Sequence, residues 1–81
     1  MYKVYILQSL KDKRTYVGYT DNLDRRFAEH NSGQNKSTKN RIPFKLLFSE
    51  EFEDKKEAKK RELYWKSGAG RNRLKEYFEK N

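Results

Sequence analysis

Glu62 is the acid in this chain whose position asks for a partner. Winding a helix from Asp54 at about 100° per residue puts Ala58, Glu62 and Trp65 on one side. A carboxylate between Ala and Trp is costly to bury unless it meets a cation or a metal ion. A salt bridge to Arg61 or Arg26 satisfies that demand as well as a metal does. Arg26 and His30 stand four apart, so they share a helix face beside the apolar pair Leu23 and Phe27. A guanidinium and an imidazole at a core edge suit contact with phosphate. By themselves they read more simply as a solvated face, with His30 as a capping or packing residue. Tyr5 and Tyr16 complete the set. If Val4 and Ile6 pair with Tyr19 and Val17, then Tyr5, Leu7, Tyr16 and Gly18 share the opposite sheet face. Tyr5 would then face Gly18, and the missing side chain would leave room for a ligand beside two phenols. A slip of one residue separates the tyrosines, and pattern alone favours plain packing for both.

These residues need elements to hold them. Tyr2 to Gln8 and Arg14 to Thr20 read as strands, joined through the polar loop Ser9-Leu10-Lys11-Asp12-Lys13. Thr20-Asp21-Asn22 offers N-cap chemistry for a helix carrying Leu23, Phe27 and Ala28 and stopping near Gly33. Gln34 to Arg41 is polar and basic and reads as a mobile loop. Pro43 marks the entry to a third strand. There Phe44, Leu46 and Phe48 alternate with Lys45, Leu47 and Ser49, out to about Phe52. Asp54-Lys55-Lys56-Glu57 resembles a capping box, and its helix runs to about Lys66. Ser67-Gly68-Ala69-Gly70 breaks it, and a last helix starts near Arg71 with Leu74, Tyr77 and Phe78 at helical spacing. The order is β-β-α-β-α-α. This implies an α+β fold with a small, mainly antiparallel sheet, one domain over residues 1–81.

Composition sets the outer limits. The chain has 81 residues, enough for one modest core. Only 33% are hydrophobic and 40% are charged, but six Tyr, five Phe and one Trp can bury much area each. With no Cys there is no disulfide framework or thiolate metal site, and one His builds no zinc site without several carboxylates. No apolar run reaches membrane-spanning length, and Met1-Tyr2-Lys3-Val4 already reads as strand, so a cytoplasmic protein without a membrane partner is expected. The net charge of +8, from 20 basic and 12 acidic residues, favours a polyanionic partner, chiefly nucleic acid, though a charged solubility surface explains it equally.

Taken in order, these short segments resemble the GIY-YIG nuclease domain. Lys3-Val4-Tyr5 stands where that family has Gly-Ile-Tyr, and Tyr16-Val17-Gly18 stands for Tyr-Ile-Gly. Thr20 to Phe27 follows, with the family Arg at Arg26, then Glu29-His30-Asn31, and later Arg61-Glu62 for the family's Arg-Glu. The match covers nearly the whole chain and is most similar to the short stand-alone bacterial branch, akin to the nuclease domain of the excision-repair incision enzyme. The resemblance implies a three-stranded antiparallel sheet flanked by helices. It implies one Mg²⁺ or Mn²⁺ held by Glu62, Tyr5 or Tyr16 as base or relay for the attacking water, Arg26 on the transition-state phosphate, and His30 in positioning or proton transfer. The expected activity is metal-dependent endonuclease cleavage of DNA, selective for structure rather than sequence. Lys36, Lys39, Arg41, Arg71 and Arg73, in loops or at a helix start, are the expected backbone contacts. The rival is a nucleic-acid-binding module without catalysis, stacking bases on its tyrosines. The pattern is departed from at Lys3, in place of Gly, and at Ser37, where related domains often carry an aromatic residue or His. Asn72 is the candidate for the family's late Asn.

Overall fold

A computed structural model describes residues 1–80, with side chains through Tyr77. Strands β1 (Tyr2–Ser9) and β2 (Thr15–Thr20) lead into helix α1 (Leu23–Asn31). A 3-10 turn at Lys39–Arg41 precedes β3 (Phe44–Phe52), and helices α2 (Lys55–Lys66) and α3 (Gly68–Lys80) close the order β-β-α-β-α-α. The sheet is antiparallel with strand order β2-β1-β3.

Each face of β1 carries a different layer. Val4 and Ile6 point to one side, where Val17, Ala58, Trp65 and Leu74 bury them under α2 and α3. Tyr5 and Leu7 point to the other, under Leu23 and Phe27 of α1, with Phe44 beside them. The alternating pattern of β1 is thus apolar on both faces, as a central strand with two covered faces requires.

Local chemistry sets the element ends. Asn22 caps α1 by accepting from Arg25 N–H at 3.1 Å, and Asp54 caps α2 by accepting from Lys56 N–H at 3.0 Å. At the far end of α1, the Asn31 amide pairs with both backbone groups of Phe44, donating to its carbonyl at 3.2 Å and accepting from its N–H at 2.6 Å. That clasp fixes α1 against the start of β3.

Three sequence expectations change. The 34–41 segment is built rather than mobile. Thr38 is fully buried, Arg41 Nε donates to Asp12 at 3.0 Å, and Ser9 Oγ donates to the Arg41 carbonyl at 2.5 Å. In β3, Phe44, Leu46 and Phe48 do not share a face. A bulge opposite Ile6 and Leu7 shifts the register, so Phe44 packs with Tyr5, Phe48 packs with Trp65, and Leu46 is exposed. Period-two reasoning cannot see a bulge, because one extra residue reverses every side chain beyond it. Helix α3 starts at Gly68 rather than near Arg71. Ser67 ends α2, and its Oγ accepts from Gly70 N–H at 3.4 Å, so one serine serves both helices. Gly70 is buried where a Cβ would strike the Tyr64 carbonyl and the Trp65 backbone, so the chain turns back on itself too tightly for any other residue. Tyr77 keeps the helical spacing expected with Leu74, while the Phe78 side chain lies outside the described residues.

Candidate active site

The expected hairpin register is present: Tyr5 pairs with Gly18, Ile6 with Val17 and Leu7 with Tyr16. Both phenols therefore share the α1 face, their ring centroids 6.4 Å apart. The gap at Gly18 is not an open ligand site. Tyr5 fills it, since a Cβ on Gly18 would lie 2.5 Å from the Tyr5 hydroxyl and 2.7 Å from its ring. The absent side chain makes space for the phenol itself.

Helix α1 brings two groups to that phenol. His30 is fully buried, its Nε2 is 3.0 Å from the Tyr5 hydroxyl, and its ring stacks at an angle 4.9 Å from Tyr16. The Arg26 guanidinium comes near enough for its charge to favour ionisation of the Tyr5 phenol, and its Nη1 donates to Glu29 at 3.2 Å. Helix α2, which carries Glu62, packs on the opposite sheet face, against β1 and β2, and no hydrogen bond or ion pair among the described residues joins Glu62 to Tyr5, Tyr16, Arg26 or His30. The expected salt bridges of Glu62 are absent. Arg61 is committed to Glu50, with Nε at 2.9 Å and Nη2 at 3.0 Å, and Trp65 Nε1 donates to the same carboxylate at 2.7 Å. Glu62 instead pairs with Lys66 one turn on, at 3.4 Å, with its side chain 14% exposed and that of Lys66 50%.

Electrostatics assigns distinct states to these groups. Burial pushes the Tyr5 phenol up to about 12, with Tyr16 and Glu62 adding to the rise and Arg26 opposing it. Burial, aided by the Arg26 charge, holds His30 below its ordinary range, so at neutral pH it is an uncharged base. Tyr5 is therefore a protonated phenol beside an imidazole able to take its proton. The Tyr16 hydroxyl has no hydrogen bond among the described residues, and its residue is half-buried.

The chain matches the model of the GIY-YIG catalytic domain over residues 1–75. It belongs to the GIY-YIG family. Among its relatives, UPF0213 protein YsiG of Lactococcus lactis subsp. lactis is 48% identical over 66 residues, 80% of this chain and 62% of YsiG. The chain thus spans somewhat less than two thirds of that relative. UPF0213 protein SH2523 of Staphylococcus haemolyticus is 42% identical over 73 residues, covering 89% of this chain and 88% of that one. The solution NMR structure of UPF0213 protein BH0048 from Bacillus halodurans superposes with a TM-score of 0.56 at 38% identity, over 95% of this chain and 85% of that one. The names of these relatives state no activity. The GIY-YIG domain is a nuclease domain, and its substrates are nucleic acids.

The expected backbone-contact residues differ in how they meet the surface. Lys36 lines a polar cleft with Arg26, Glu29, Gln34 and Asn35. Arg71 lines one cleft with Tyr16 and Lys66 and another with Lys13, Arg14 and Lys75. The sequence pattern did not single out Lys66, Lys13, Arg14 or Lys75, because only folding brings the β1–β2 loop and the end of α2 to α3. Lys39 is exposed on the 3-10 turn and lines none of these clefts. Arg41 is no free contact: it is spent on Asp12 and the Thr15 carbonyl and lies 5.6 Å over the Phe44 ring. Arg73 lines a groove with Phe48, Trp65 and Tyr77, where its charge bears on Glu50. Asn72 is exposed on α3 and Ser37 is exposed on its loop, while Thr38 beside it reaches His30. No helix among the described residues is long and apolar enough to cross a membrane.

The donor set bears on what ion could sit at Glu62. Among the described residues no three His, Asp or Glu side chains gather at one point. One carboxylate suits Mg²⁺ or Mn²⁺, which keep several waters and take phosphate oxygens, and does not suit a zinc cage. The half-exposed Lys66 partner is a weak obstacle, since such a pair contributes at most about 1 kcal/mol.

Proposed function

We propose that this chain is a metal-dependent endonuclease that hydrolyses phosphodiesters in DNA and selects structure rather than sequence. The observation that supports it is the gathering of His30, Tyr16 and Arg26 around one buried phenol, Tyr5. Glu62 would hold one Mg²⁺ or Mn²⁺, which would supply polarisation of the phosphoryl group and help the leaving oxygen depart.

The residues of the chain perform the rest. At neutral pH only about one Tyr5 in 10⁵ is ionised, so a standing phenolate is not the base. Tyr5 instead hands its proton to His30 Nε2 as it takes one from the attacking water. The new P–O bond forms from that water, the bond to the leaving oxygen breaks, and the leaving oxygen takes its proton from solvent. His30 then returns its proton to solvent. Arg26 stabilises the charge growing on the phosphate and keeps the imidazolium short-lived. The Tyr16 hydroxyl, free of protein partners among the described residues, orients the phosphate. Lys36 on one side, and Lys66, Arg71 and Lys75 on the other, hold the strand by its backbone.

The test is cleavage of a panel of labelled duplex, branched, nicked and single-stranded DNA, with matching RNA, in Mg²⁺, Mn²⁺ or EDTA. Glu62→Gln keeps the size of the side chain and removes the charge a hard cation needs. It should abolish cleavage while leaving binding in EDTA within about threefold. Cleavage by Glu62→Gln at the wild-type rate removes Glu62 from the reaction. Tight binding by a wild-type protein that cuts nothing on the panel favours the binding-module reading.

A further inference from the structure

We propose that Thr38 is a positioning residue for the Tyr5–His30 pair: its hydroxyl accepts from His30 Nδ1–H and so holds the ring in the tautomer whose Nε2 is free to take the Tyr5 proton. The effect on rate rests on the nuclease reading, but the tautomer does not.

The assignment follows from a hydrogen inventory. Thr38 and His30 are both fully buried, with Thr38 Oγ1 at 2.9 Å from Nδ1. No water is needed to account for either ring nitrogen, because Nε2 meets the Tyr5 hydroxyl at 3.0 Å. Two tautomers are possible. A proton on Nε2 would aim its N–H at the Tyr5 oxygen and leave the phenol's own hydrogen without an acceptor among the described residues. Buried donors are seldom left in that condition. With the proton on Nδ1, every group is served. Tyr5 O–H donates to Nε2, Nδ1–H donates to Thr38 Oγ1, and Thr38 O–H donates to the Asn35 carbonyl at 3.4 Å.

The loop is built to keep Thr38 there. The Asn35 side chain accepts from Ser37 N–H at 3.0 Å and from Ser37 Oγ at 2.7 Å, and the Asn35 carbonyl accepts from the N–H of Thr38 at 3.1 Å and of Lys39 at 2.9 Å. A turn closed on Asn35 therefore sets the Thr38 hydroxyl against the ring. When the Tyr5 O–H bond breaks and its hydrogen moves to Nε2, the imidazolium keeps its Nδ1–H bond to Thr38. The ring does not have to turn during the step, which is what orientation of a general base by a third group achieves.

The chain has a single histidine, so the two nitrogens of His30 are the only imidazole signals in a ¹⁵N spectrum of the whole protein. At pH 7.5 the wild-type ring should show a protonated, pyrrole-type Nδ1 and a bare, pyridine-type Nε2. Thr38→Val keeps the shape and removes the acceptor, so both signals should move toward a tautomer average, and Thr38→Ser should restore them. Cleavage by Thr38→Val should fall roughly tenfold in kcat with little change in KM, in line with partners that orient functional histidines elsewhere, and Thr38→Ser should recover most of it. A wild-type proton on Nε2, or unchanged ring signals in a folded Thr38→Val, overturns the proposal. Should Thr38→Val not fold, the wild-type and Thr38→Ser spectra decide it. If the wild type cuts nothing, the nuclease reading fails while the spectra still decide the tautomer that Thr38 holds.

Discussion

At the scale of single residues, Arg26 shows how one side chain can be asked for three things. It opposes the rise in the Tyr5 pKa, pairs with Glu29 and lowers the proton affinity of His30. Charge alone accounts for the effect on His30, but a two-pronged contact to phosphate needs the planar fork of the guanidinium, which an ammonium does not reproduce. Arg26→Lys is therefore expected to lose about a hundredfold in kcat, close to Arg26→Ala, the loss typical of one transition-state contact. Single-turnover cleavage measures it, and full activity in the Lys variant reduces the role of Arg26 to general charge. His30 carries a second prediction at this scale. Burial, then Arg26, depresses its proton affinity in the folded chain, while the unfolded chain binds a proton near pH 6.5. The unfolded state thus holds more protons below that pH, so the stabilising contribution is complete above about 6.5 and declines as the pH falls. The unfolding free energy from urea titrations should be level from pH 8 to 7 and fall as the pH drops below about 6.5, by at most about 1.4 kcal/mol per pH unit for one group. His30→Gln should flatten that part of the profile, and an unchanged slope assigns it to other groups.

Among elements, the junction of α2 and α3 depends on backbone clearance. Gly70 packs against the backbone of Tyr64 and Trp65, while a methyl on Gly68, two residues earlier, would meet nothing within 4 Å. Trp65 is held there in turn by Glu50, which also grips Arg61. Gly70→Ala pushes a methyl into main chain that cannot yield, so it should destabilise the fold by about 1–3 kcal/mol or more. Gly68→Ala meets open space in a helix and should be neutral or stabilising by about 0.5–1 kcal/mol. Urea denaturation of the two variants side by side checks the opposite signs, and equal effects would place the constraint elsewhere than in the close approach.

For the molecule as a whole, the net charge of +8 matters by where it gathers. Lys36 and Arg26 line a cleft on the α1 side of the phenols, and Arg71 joins Lys66 beside Tyr16 and Lys13, Arg14 and Lys75 beyond. Arg73 faces β3 instead. Binding to duplex DNA in EDTA should weaken with salt at a log–log slope of about −3 to −4, as for contacts to roughly four phosphates. Arg71→Ala should make the slope shallower by about one, and Arg73→Ala should leave it unchanged. Equal slopes for the two variants would mean that charge acts diffusely, without a path.

The sequence alone determined the element order, and it offered the hairpin register that is present as one of its possible pairings, while Tyr5, Tyr16, Arg26, His30 and Glu62 stood out only through the resemblance to the GIY-YIG domain. Short-range physics suffices for the elements: alternation sets a strand and 3.6-residue spacing sets a helix face. Three things were decided by tertiary structure. The bulge in β3 sends Phe44 and Phe48 to opposite layers, although their spacing in sequence is even. The partner of Arg61 is Glu50 on β3, which leaves Glu62 to Lys66, and no helix arithmetic ranks acids on other elements. Thr38 reaches His30 from a segment whose polar composition looks like open loop. In each case the deciding contact joins residues that local periodicity does not relate, and burial assigns its partner only once the layers have closed.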